Sequence, residues 1–279
     1  MRRLFAAALW PVAAAVGAAD RPPIVGVSHI AFHASDAAKA RAFYGGLLGY
    51  AEIEPLRFKI NDRQYVAIVP GLPPAQDDRL SHVAFETTDL AALRGYLEEK
   101  GIKTNGPADE AGDRVLRVSD PDGHAVEFVQ YVPGSPFTKS AAPGARRISD
   151  RLLHVGLTVA DPAAADRFYK EVLGFSEIWR GGRTDAETSW INMKVPDGTD
   201  YLEYMLVSGK VDRELGTLHH MALSVPDIQE ALEALRARPG GLDRRTVRAP
   251  QVGRNNRWQL NLYDPDGSRC ELMEPFTMR

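Results

Sequence analysis

Cysteine is almost missing: Cys270 stands alone among 279 residues, so no disulfide can brace the chain internally. It is expected as a small core residue. Long apolar runs are missing too, since Leu4 to Val16 falls short of the ~20 residues a membrane helix needs. Excess positive charge is also lacking. The chain has 34 Lys and Arg against 37 Asp and Glu, a formal charge of −3, which gives no reason to expect nucleic acid as a partner. What is present, 44% apolar and 25% charged residues, is the composition of ordinary globular domains, and the length suggests two of them.

The N-terminus stands apart. Met1-Arg2-Arg3, the apolar run and Val16-Gly17-Ala18 before a cut after Ala18 or Ala19 have the build of a secretory signal peptide, assigned to residues 1–19. The mature protein is then expected to be exported, periplasmic or extracellular, with a formal charge of −5 once Arg2 and Arg3 are removed. Arg2-Arg3-Leu4-Phe5 loosely resembles a twin-arginine signal, but the general secretory route is the default expectation.

The chain repeats itself. His29, Phe43-Tyr44 and Leu48-Gly49 return as His154, Phe168-Tyr169 and Leu173-Gly174, each displaced by 125 residues. Asp120-Pro121-Asp122-Gly123 and Glu127 return as Asp264-Pro265-Asp266-Gly267 and Glu271, displaced by 144. Two homologous halves follow, the second 19 residues longer. Each half divides again, because His29, His82, His154 and His220 each open an apolar strand that leads to an acidic or Ser-Asp helix start. The expectation is an α+β protein of four βαβββ modules in two domains, 26–131 and 151–275. Residues 132–150 hold three prolines and two glycines, show no apolar periodicity and read as an extended linker. Such a linker would let the halves pack as a monomeric pseudo-dimer, while a homodimer stays open.

His154, Glu203, His220 and Glu271 carry the chemistry. Each lies in a short apolar segment that reads as a strand, and their intervals are 49, 17 and 51 residues. Ionisable groups on half-buried strands are costly unless paired or coordinated, so a metal site is the leading reading. His219, the neighbour of His220, is expected on the opposite strand face.

These strand histidines, the Phe-Tyr and Leu-Gly helix ends, and the Asp-Pro-Asp-Gly turn before a Glu-bearing strand resemble the vicinal oxygen chelate superfamily, which includes glyoxalase I, extradiol dioxygenases and bleomycin-binding proteins. The resemblance implies paired modules whose curved sheets enclose a divalent metal. It matches His154, Glu203, His220 and Glu271 to the ligands of bacterial glyoxalase I, which suit Ni, Co, Mn or Zn, with two positions left for a substrate bearing vicinal oxygens. A lyase or isomerase reaction is implied, in which Glu271 or Glu203 moves the proton. His29, His82 and Glu127 form a candidate second site, with no acidic residue in Tyr65-Val66-Ala67-Ile68-Val69 to complete it. Two histidines and one carboxylate suit Fe(II). A half retained for structure alone is the competing account.

Two alternatives accompany this reading. The first is an extradiol-type Fe(II) ring-cleaving dioxygenase using His154, His220 and Glu271, although Asn261 stands where that group has a catalytic tyrosine. The second is a non-catalytic small-molecule or antibiotic-binding protein, in which Trp179, Trp190 and Trp258 would stack on a planar ligand. Thr158 and Val207 occupy the places where glyoxalase I anchors glutathione, which points to a different small-molecule substrate. Arg244, Arg245, Arg248, Arg254 and Arg257 are candidates to neutralise an acidic group on it, against the plainer reading of a solvated face.

Overall fold

The computed structural model describes residues 21–72, 79–208, 218–239, 242 and 249–276. Residues 1–19, assigned above to an export signal, lie outside the described residues, as do Arg244, Arg245 and Arg248. Among the described residues no helix is long and apolar enough to cross a membrane.

Four βαβββ units follow one another. The first is β1 (Ile24–Ala34), α1 (Ala37–Arg41), β2 (Ala51–Glu54), β3 (Arg57–Lys59) and β4 (Tyr65–Pro70). The second is β5 (Leu80–Thr87), α2 (Leu90–Glu99), β6 (Asn105–Glu110), β7 (Asp113–Ser119) and β8 (Ala125–Gln130). After α3 (Pro136–Lys139), the third is β9 (Leu152–Val159), α4 (Pro162–Asp166), β10 (Ser176–Gly181), β11 (Trp190–Lys194) and β12 (Tyr201–Leu206). The fourth is β13 (His220–Ser224), α5 (Ile228–Arg236), β14 (Gln251–Val252), β15 (Trp258–Tyr263) and β16 (Arg269–Met273).

Each half forms one eight-stranded mixed sheet, ordered β2-β3-β4-β1-β5-β8-β7-β6 and β10-β11-β12-β9-β13-β16-β15-β14. The first strand of every unit pairs in parallel with its last, and the two first strands of each half pair antiparallel. The expected α+β class and module order therefore hold. All four predicted N-caps form, with the carboxylates of Asp36, Asp89, Asp161 and Asp227 accepting from first-turn amides. Both α1 and α4 widen into π-helical turns, Ala42–Leu47 and Arg167–Val172. Each ends near a glycine in the left-handed region, Gly49 (φ 80°) and Gly174 (φ 77°), where a side chain would be strained.

The Phe-Tyr pairs and Asp-Pro-Asp-Gly turns do more than pack a core and reverse the chain. Tyr44 donates to Asp264 Oδ2 at 3.0 Å, and Tyr169 donates to Asp120 Oδ2 at 3.0 Å. The other oxygen of each aspartate accepts amides of its own turn. The amides of Ser35 and Ala160 likewise reach Asp266 and Asp122 across the boundary. The halves are thus joined twice by the same bonds.

Residues 132–150 are not the extended linker expected from their composition. Ser135 caps α3, and Phe137, 1% exposed, stacks on Tyr131 with ring centroids 4.7 Å apart. One aromatic side chain with a place in the core outweighs three prolines and two glycines.

Candidate metal centre

In the C-terminal half, β9 and β12 run parallel and set His154 beside Tyr201 and Glu203 beside Gly156, while antiparallel β13 sets His220 opposite the same Gly156. Parallel β16 brings in Glu271 beside Ala222. All four side chains are buried: His154 and His220 at 0% exposure, Glu271 at 5% and Glu203 at 8%. The two imidazoles face each other, Nε2 to Nε2, at 3.0 Å. Glu203 Oε2 lies 3.2 Å from His220 Nε2 and 3.8 Å from His154 Nε2, and Glu271 Oε2 lies 3.6 and 4.0 Å from the same two atoms.

This arrangement fits a cation better than it fits a self-contained hydrogen-bond network. Two nitrogens each about 2.1 Å from one ion and at right angles to it would lie about 3.0 Å apart. Burial lowers the His154 pKa to about 3 and pushes that of His220 well down, so both rings are neutral near neutral pH, the form that could ligate a metal. Burial raises Glu271 to about 7, with Arg269 opposing the shift and Glu203 adding to it. Two buried carboxylates beside two neutral rings leave negative charge that an ion would neutralise.

Both carboxylates line a cavity of about 260 Å³, and the two imidazoles do not. Of the three tryptophans named above, Trp179 and Trp190 border it and Trp258 does not; Asn261 and Arg269 line it too. Arg254 also borders it and pairs with Asp185. Two features escaped the sequence reading. Arg269 sits two residues before Glu271, hence on the same strand face, and its guanidinium lies 2.6 Å from His220 Nδ1, whose proton goes to the Leu218 carbonyl at 2.8 Å. Alternation alone could have identified it. Gly156 makes room for the His220 ring, which a methyl at that position would overlap.

His219 turns the other way, as alternation predicts. Its Nε2 lies 3.2 Å from Thr158 Oγ1, which is 3.4 Å from His124 Nε2, and His124 Nδ1 is 2.8 Å from Asp120. Thr158, at the place where an arginine would anchor glutathione, belongs to this buried contact between the halves.

The N-terminal half repeats the geometry with three donors. His29 and His82 face each other, Nε2 to Nε2, at 2.9 Å, and Glu127 Oε2 lies 3.8 and 3.5 Å from them. Tyr65 stacks on His29 at 4.2 Å as Tyr201 stacks on His154 at 4.5 Å, so Ala67 occupies the place of Glu203. Burial lowers His29 well below its ordinary value and His82 to about 4. Among the described residues these three, and the trio His154, Glu203 and His220, are the groups whose donor atoms all lie within 4.8 Å of one another.

A family model described as the Glyoxalase/Bleomycin resistance protein/Dioxygenase superfamily matches residues 26–128 and 151–272. The lactoylglutathione lyase of Escherichia coli O157:H7 is 32% identical over 127 residues, 44% of this chain and 92% of that protein. The 2,3-dioxygenase LapB from Pseudomonas sp. KL28 superposes with a TM-score of 0.66 at 19% identity, covering 91% of this chain and 93% of its own. Homoprotocatechuate 2,3-dioxygenase from Brevibacterium fuscum superposes with a TM-score of 0.65 at 23% identity, covering 91% and 81%. At these identities the two dioxygenases share the fold and carry no further implication.

Proposed function

The chain belongs to the Glyoxalase/Bleomycin resistance protein/Dioxygenase superfamily, and from that premise we propose that its C-terminal half is a metal-dependent lyase or isomerase site for a small substrate with two adjacent oxygens. His154, Glu203, His220 and Glu271 would hold the ion, which is Ni, Co, Mn, Zn or Fe(II). When bound, such an ion draws electron density from the substrate oxygens and acidifies the neighbouring C–H bond. Glu271 then takes that proton on a carboxylate oxygen and returns it to the adjacent carbon. The half-buried indoles of Trp179 and Trp190 narrow the cavity and limit the water that competes for the proton.

One observation carries this reading: His154, Glu203 and His220 hold donor atoms within 4.8 Å of one another, Glu271 Oε2 lies 3.6 and 4.0 Å from the two imidazoles, and neither carboxylate has a lysine or arginine bonded to it among the described residues. The experiment is metal content by mass spectrometry on untagged protein, wild type against His220→Ala, followed by hydrogen–deuterium exchange into small 2-oxo and 2-hydroxy compounds. Bound metal that the variant loses, and exchange that Glu271→Gln abolishes, are the expected results. A C-terminal half that keeps full metal occupancy without His220 would overturn the ligand set.

A second reading is an Fe(II) ring-cleaving dioxygenase that uses His154, His220 and Glu271, since two imidazoles and one carboxylate suit Fe(II). Glu203→Ala separates the two. A four-ligand lyase loses most of its metal and activity, whereas a three-ligand dioxygenase keeps its iron.

A further inference from the structure

The two metal-site candidates differ by a set of exchanges that changes what each can bind. Ala67 replaces Glu203. Across the sheet, Arg57 is the Cα partner of Ala67 where Asn192 partners Glu203, and Arg117 partners Glu127 where Asn261 partners Glu271. The N-terminal half has therefore lost one carboxylate and placed an arginine beside each of the two positions. With that side chain missing, His29, His82 and Glu127 line the cavity directly, and the cavity is larger, about 470 Å³.

Hydrogen bonds show that this site is built and not merely left over. Tyr131 donates to the Arg63 carbonyl at 2.9 Å, so its oxygen must accept from Ser28 Oγ at 2.7 Å. The Ser28 hydroxyl, its proton used, accepts from His29 Nδ1 at 3.0 Å. That chain fixes the His29 proton on Nδ1 and leaves the Nε2 lone pair facing the cavity. Ser81 Oγ lies 3.2 Å from His82 Nδ1 in the same relation. The C-terminal half has Leu153 and His219 at the equivalent positions, and His154 Nδ1 is buried without a hydrogen-bond partner among the described residues.

Arg117 is committed to Glu127 and Glu110. Arg57 is less so. One of its nitrogens meets Glu54 at 2.8 Å, its guanidinium carbon lies 5.5 Å from the Tyr65 ring centroid, and its other N–H groups have no protein partner among the described residues.

We propose that the N-terminal cavity is a second, independent metal centre that takes a carboxylate-bearing small molecule, whose acid group enters the space left open at Ala67 and meets Arg57. That carboxylate would take the ligand position that Glu203 fills in the other half while pairing with Arg57, which would make the site selective for anions. This centre stands apart from the C-terminal reading and can succeed or fail without it.

Cobalt(II) and pyruvate serve as probes, with methyl pyruvate as the uncharged control. In the full-length His220→Ala chain, one cobalt ion is expected per molecule, lost when His82→Ala is added. A Glu203→Gln, Glu271→Gln chain gives a second background in case His220→Ala folds poorly. Pyruvate should perturb the visible absorption of the bound cobalt while methyl pyruvate does not. Arg57→Met should weaken the pyruvate response about tenfold or more. Ala67→Glu should keep the cobalt and remove the response. No cobalt in either background overturns the metal centre. A pyruvate response that methyl pyruvate matches, or that Arg57→Met leaves unchanged, overturns the anion site.

Discussion

Gly156→Ala is the smallest change that should disable the C-terminal site. Gly156 lies on β9 directly opposite His220, and its Cα is covered by the His220 ring. An added methyl would overlap Cε1 and Nδ1, so the imidazole has to swing away from His154 and Glu203. The surroundings give little room, because His220 is fully buried and Nδ1 is held by the Leu218 carbonyl at 2.8 Å. Overpacking of this kind costs about 1–3 kcal/mol, and loss of ligand orientation lowers metal affinity by roughly 10–100-fold. The other half contains the control: Ala31 partners His82 as Gly156 partners His220, and the His82 side chain is 17% exposed where that of His220 is fully buried. The assay is competition for Zn(II) with a chromophoric chelator in a His82→Ala background, beside thermal unfolding of the metal-free chain. A Gly156→Ala protein that binds zinc as tightly as its parent, with an unchanged melting temperature, would refute the steric argument.

The fold was legible because it is written twice. Displacements of 125 and 144 residues tie histidines, helix ends and turns together, and the turn chemistry of Asp-Pro-Asp-Gly marks where each last strand begins. The ligand candidates were legible because a buried ionisable group on an apolar strand needs a partner. What could not be read depends on which distant strands become neighbours. The exchange of Arg57 and Arg117 for Asn192 and Asn261 means nothing until β3 and β7 lie against the ligand strands. The room that Gly156 makes exists only once β13 pairs with β9. Likewise, Tyr44 and Tyr169 pass for core aromatics in sequence, and only the packing of one half on the other reveals their aspartate partners.

Chelator treatment should destabilise the protein, by about 2.7 kcal/mol for an ion previously present at a hundred times its dissociation constant, measured by urea unfolding before and after dialysis. In the metal-free Glu271→Gln chain, stability should fall between pH 7.5 and 5, by about 2 kcal/mol from His154 alone, with the other buried histidines adding loss of the same sign. The sign follows from His154, whose pKa is about 3 folded against 6.5 free: the unfolded chain gains the proton first as pH drops, and a flat profile would contradict the buried neutral ring. With Glu271 present the slope is shallower, because its folded value of about 7 against 4.5 contributes stability below pH 4.5 that is lost as pH rises through 7. Tyr44→Phe and Tyr169→Phe should each cost about 1–3 kcal/mol, since each removes the phenol from a nearly buried carboxylate, Asp264 or Asp120. The two bonds share no partner, so the double variant should lose roughly the sum. If both serve only to dock one half on the other, the double variant should also unfold in two steps where the parent unfolds in one. A double variant as stable and as cooperative as the parent would show that the repeated tyrosine–aspartate bonds are not what joins the halves.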